Sequence, residues 1–182
     1  MTILRCSQKL LKRLRQPATP PGPVPGSNPL GEWCADIDFI DRQPFALLMN
    51  AATGTVLVLP ARAADLKRLH AMAAEQLGGL LQACGIGGAL AEAELDALRE
   101  PFAFARNGNR SLVASMNQRR HEAWTQFAYN RLTAFDVALR MLETPFSRKD
   151  LGRGFHFAAN LLQARLLPAT KIVASGSARG LH

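Results

Sequence analysis

The sequence is short of the groups that carry most readable chemistry. Its three cysteines, Cys6, Cys34 and Cys84, are odd in number and far apart, so no disulfide framework is expected and a reducing cytoplasm is the simplest setting. Its four histidines, His70, His121, His156 and His182, stand alone, and no Cys or His pair has ligand spacing. Neither a metal site nor a cofactor is therefore expected. His70 sits at the edge of a leucine stripe and reads as a core or boundary histidine. A phosphate loop is excluded because Gly85-Ile86-Gly87-Gly88 lacks the later glycine, the lysine and the preceding strand. There is no Gly-x-Ser-x-Gly elbow and no His-Glu-x-x-His helix. No apolar run approaches the roughly 20 residues that a spanning helix needs, so the chain reads as soluble, with no membrane partner.

Acid is missing from one end. Residues 1–31 hold five Lys/Arg and no Asp or Glu, residues 32–100 hold five against ten, and residues 101–182 hold twelve against four. The total of +8 is thus concentrated in two terminal blocks around an acidic middle. That division favours an anionic partner such as nucleic acid, an acidic protein or a membrane surface; the alternative is a solvated basic surface that binds nothing. At 182 residues one domain can bury a real core.

What is present centres on residues 32–60. Trp33, Ala35, Ile37 and Phe39 alternate with Cys34, Asp36 and Asp38, the period of two of a half-buried strand. A turn at Asp41-Arg42-Gln43-Pro44 leads to an apolar run from Phe45 to Met49, and Asn50 to Gly54 reverses the chain into Thr55–Leu59. The spacing predicts an antiparallel meander with one dry face. Thr2 to Arg5 reads as a first strand, and Ser7 as the N-cap of a helix over Gln8–Arg15. The Pro- and Gly-rich run from Gln16 to Gly31 reads as an extended, mobile connector. Further helices are expected over 64–84, 87–100, 110–129, 132–142 and 155–167, with a fourth strand at Phe102–Ala105. The remainder, 168–182, reads as a flexible basic tail outside a single domain of 1–167.

Few side chains have a claim to a task. Asp36 and Asp38 are the closely spaced carboxylates of one strand face, about 7 Å apart, so a metal-assisted hydrolase or nucleotide-processing enzyme is the second reading of the chain. Arg120 falls in the middle of the stripe formed by Leu112, Val113, Met116, Ala123, Trp124 and Phe127. A guanidinium there must meet a carboxylate, for which Asp36 or Asp38 serves, or else line an open face that binds an anion. Asn107-Gly108-Asn109-Arg110-Ser111, with Ser115 and Asn117 beyond, makes an anion-friendly helix start. The candidate anion- or nucleic-acid-binding set is Lys9, Lys12, Arg13 and Arg15 at one end and Arg110, Ser111, Arg119, Arg120 and Arg131 at the other. Aromatic residues interleave poorly with these cations, so contact is expected to be with phosphates rather than stacked bases.

The order of several short blocks resembles a family of small uncharacterised bacterial proteins built on a domain of unknown function. The blocks are Ile3-Leu4-Arg5-Cys6-Ser7-Gln8-Lys9-Leu10-Leu11, Trp33-Cys34-Ala35 with Phe39-Ile40-Asp41-Arg42, and Leu47 to Ala51. Arg110 to Asn117 and Leu142-Glu143-Thr144-Pro145 complete the set. The resemblance implies a bacterial cytoplasmic α+β protein whose first strand and helix belong to the folded domain. The Pro-rich insert, the tail after Leu167 and the pair Arg119-Arg120 depart from the pattern.

The expectation is therefore an α+β fold: a small antiparallel sheet of three to five strands, covered on one face by helices. The expected function is non-enzymatic binding or regulation through the basic ends, in a bacterial defence, mobile-element or toxin–antitoxin setting.

Overall fold

A computed structural model describes residues 1–17 and 27–167 of the chain. Five strands form one open sheet in the order β4-β3-β2-β1-β5. These are β1 (Ile3–Cys6), β2 (Trp33–Ile40), β3 (Gln43–Asn50), β4 (Val56–Pro60) and β5 (Ala103–Arg106). The α+β class and the central meander of β2, β3 and β4 are as the sequence predicts. The sheet is mixed rather than wholly antiparallel: β1 runs parallel to both β2 and β5, while β2-β3 and β3-β4 are antiparallel.

The second correction concerns the faces. Helices cover both sides of the sheet, not one. On the side of Trp33, Ala35, Ile37 and Phe39, Trp33 donates from Nε1 to Glu94 of α4 (Ala89–Arg99), and Arg13 of α1 (Gln8–Leu14) lies over the Phe39 ring. On the side of Cys34, Asp36 and Asp38, both aspartates meet Arg120 of α5 (Arg110–Asn130), and Phe45 packs on Phe127. Cys34 is fully buried and Asp36 nearly so. The polar alternation in β2 thus marks an internal ion pair rather than a wet face. Burial pushes the Cys34 thiol up to about 12 and raises Cys6 further, which leaves both as inert core thiols.

The expected helix over 64–84 is two helices, α2 (Ala63–Leu66) and α3 (Leu69–Ala83). The apolar stripe keeps its phase across the break, so periodicity alone does not reveal it. Two further helices, α6 (Ala134–Glu143) and α7 (Ala158–Leu166), follow α5. Asp136 accepts from the Thr133 hydroxyl at 2.6 Å at the start of α6. The stripe of α5 is also narrower than expected. Leu112, Met116 and Ala123 are buried, whereas Val113 and Trp124 are exposed.

The last residues of the connector are fixed against α4. Residues 18–26 and the tail 168–182 lie outside the described residues. From Asn28 onward the chain is pinned by the buried Glu94 carboxylate, which accepts from Asn28 Nδ2, from the Leu30 amide at 2.8 Å and from Trp33 Nε1 at 3.1 Å. Leu30 is fully buried as a result. Desolvation raises the Glu94 pKa, against the opposing effect of these three donors.

Candidate anion-binding surface

The parallel strands β1 and β5 deliver two helices to the same end of the sheet. Cys6 pairs with Arg106, and the Asn107 amide donates to the Cys6 carbonyl at 3.0 Å. One residue after Cys6, Ser7 caps α1 by accepting from the Leu10 amide, and soon after Arg106, Asn109 caps α5 by accepting from Ser111 and Leu112. Such N-caps satisfy donors that a helix start otherwise leaves bare. Leu10 and Leu11 of α1 are buried while Lys9, Lys12, Arg13 and Arg15 face solvent. Arg110 and Ser111 are likewise exposed at the start of α5. These six residues of the sequence-derived set are thus exposed on the two helices that start from this end of the sheet.

The other three do not join them. Arg119 is 2% exposed, donates to Glu122 at 2.8 Å and to the Met141 carbonyl, and stacks on the Phe146 ring. It joins α5 to α6 and its neighbours, and it is a core residue rather than a surface cation. Arg120 pairs with both candidate carboxylates, at 2.7 Å to Asp36 and 3.3 Å to Asp38. Pairing, not an open face, accounts for its place in the stripe. Arg131 is exposed and ends α5 in a left-handed conformation. It lies some 30 Å along the helix from Arg110, at about 1.5 Å per residue over 21 residues.

Asp36 is committed to structure on all sides. Its oxygens accept from Ser7 Oγ at 2.5 Å, from the Ile37 amide at 2.8 Å and from Arg120 Nη1. Ser7, Asp36 and Arg120 thus tie the cap of α1, the middle of β2 and α5 into one hydrogen-bonded line. That line fixes where the basic helix leaves the sheet. Among the described residues no group of three or more His, Cys, Asp or Glu is placed to hold a metal ion.

Sequence reasoning missed one member of the surface. Lys67, just after α2, is exposed and lines a groove of about 660 Å³ with Arg13 and Arg15. It belongs to the acidic middle block, so division of charge along the chain hides it; only the packing of α2 beside α1 reveals it. Among the described residues, none of Lys9, Lys12, Arg13, Arg15 and Lys67 forms an ion pair, whereas Arg5, Arg99, Arg119, Arg120 and Arg148 each do.

The fold and this surface define an α+β protein with an open mixed sheet between two helical layers and a cationic end. No described helix is long and apolar enough to cross a membrane. The chain belongs to the family described as Domain of unknown function (DUF6933), whose model matches residues 3–157. That match includes β1 and α1, which are thereby part of the family domain. No curated protein and no solved structure matches the chain.

Proposed function

We propose that the protein is a non-enzymatic binding or regulatory protein that engages an anionic partner, nucleic acid or an acidic protein, through the cationic end built by α1. The observation that carries this reading is the clustering on and beside α1 of the exposed cations Lys9, Lys12, Arg13, Arg15 and Lys67, none of which forms an ion pair among the described residues. Exposed cations left unpaired keep their long-range field and steer polyanions. The enzymatic alternative loses ground because Asp36 and Asp38 already share the Arg120 guanidinium. In this reading the protein acts in a bacterial cytoplasm.

Retention of the full chain on an immobilised polyanion across a salt series tests it. The variant Lys9→Gln/Lys12→Gln/Arg15→Gln, altered only at exposed positions, is expected to fold as the parent does and to elute at clearly lower salt. Equal elution of parent and variant would remove the proposal.

A further inference from the structure

We infer that the partner at this end is a protein segment, acidic and amphipathic, whose apolar side chains seat in the groove between α1, α2 and β5. The inference rests on the anionic-partner reading above and narrows it to one class of partner.

Three features of the groove point that way. Its rim is cationic, with Arg13, Arg15 and Lys67, and no Asp or Glu lines it. Its floor carries apolar side chains, Leu14, Leu66 and Leu69 together with Phe102 and Phe104. At about 660 Å³ it falls within the roughly 300–1,000 Å³ of sites that enclose a drug-sized ligand, room for more than one apolar side chain.

The floor argues against single-stranded nucleic acid. Sequence-tolerant strands are held by successive aromatic faces on which bases stack. Here Phe102 is buried, and it meets both Phe104 and His70 edge-to-face, at interplanar angles of 89° and 86°. These rings pack on one another rather than forming a row of open platforms. A floor of leucines and edge-packed rings under a cationic rim is instead complementary to leucine-like anchors flanked by carboxylates, the pattern of amphipathic segments that dock in grooves. The rim is also preset. Arg13 is held 5.5 Å over the Phe39 ring, and Arg15 closes α1 with its amide bonded back to the Lys12 carbonyl.

The test measures binding of three fluorescent probes of equal charge to the full chain: a peptide alternating Glu with Leu, oligoglutamate, and a single-stranded oligonucleotide. The Glu/Leu peptide is expected to bind at least about tenfold more tightly than the other two, a difference of about 1.4 kcal/mol. Ala63→Trp, at an exposed lining position that opens α2, fills the groove without changing charge. It should abolish that preference and leave the other two probes bound as before. Lys67→Glu, also at an exposed position, should weaken the Glu/Leu peptide most and serves if the tryptophan variant misfolds. Equal binding of all three probes, or a preference that survives the groove variant, overturns the inference while the anionic-partner reading stands. Binding of none of them overturns both.

Discussion

At the scale of single residues, Glu94 couples the return of the connector to pH. Its pKa is raised in the folded state above its ordinary value of 4.5 because the carboxylate is desolvated. Between that value and the raised one, the folded chain holds more protons than the unfolded chain, so stability falls as pH rises through this window. The contribution is complete below the ordinary carboxylate value and is lost above the raised one. Urea midpoints taken from pH 4 upward should show this fall in the parent. In Glu94→Gln, which has no charge to desolvate, it should be absent; a slope that persists in the variant contradicts the assignment. Glu94→Ala should be worse than either, by about 2–4 kcal/mol, because Trp33 Nε1, Asn28 Nδ2 and the Leu30 amide are left buried without their acceptor.

Arg120 and Asp36 offer a second residue-scale test. Asp36 is nearly buried and Arg120 is 25% exposed, so their pairing is screened less than a surface bridge. A double-mutant cycle with Asp36→Asn and Arg120→Met should return a coupling of about 1–2 kcal/mol. Coupling near zero means that the Ser7–Asp36–Arg120 line does not hold α1, β2 and α5 together.

At the scale of elements, the hairpin between β2 and β3 turns on two residues, Asp41 and Arg42, both in the left-handed region at φ 45° and 63°. A two-residue hairpin with both φ positive is favoured by Asn-Gly, and an arginine there works against its own Cβ. Arg42→Gly should therefore stabilise the protein by about 1 kcal/mol, read as a higher melting temperature. Gly54 has the opposite logic. Its φ is 69°, and a Cβ added there would run into the Phe146 ring. Gly54→Ala should lower the melting temperature; an unchanged value would mean that Phe146 moves freely.

The same scale shows what the chain's periodicity discloses. The meander, α1 with its Ser7 cap, and the start of α5 at Arg110 were all legible, because each carries a local signal of alternation, capping or periodicity. The direction and partners of β1 and β5 were not: four residues such as Ile3–Cys6 look alike in a parallel or an antiparallel pairing. The double-sided burial of β2 was hidden for a different reason. Asp36 reads as a solvent residue until Arg120, 84 positions away, is brought to it.

At the scale of the whole molecule, the net charge of +8 is carried unevenly, and folding rather than chain order decides where. Lys67 comes from the acidic block yet joins α1, while Arg119 comes from the basic block yet enters the core. The candidate surface was thus half legible: α1 and Arg110 could be read directly, but the groove depends on contacts between distant segments.

The most direct measurement is the dependence of polyanion affinity on salt. Each cation that neutralises an anionic group adds a near-integral increment to the slope of log affinity against log salt. The parent is expected to give a steep negative slope, and Lys9→Gln/Lys12→Gln should flatten it by about 2. Arg131→Gln, at the far end of α5, should leave it unchanged. A slope that is already flat in the parent, or one that Arg131→Gln reduces as much as the α1 variant does, contradicts the account.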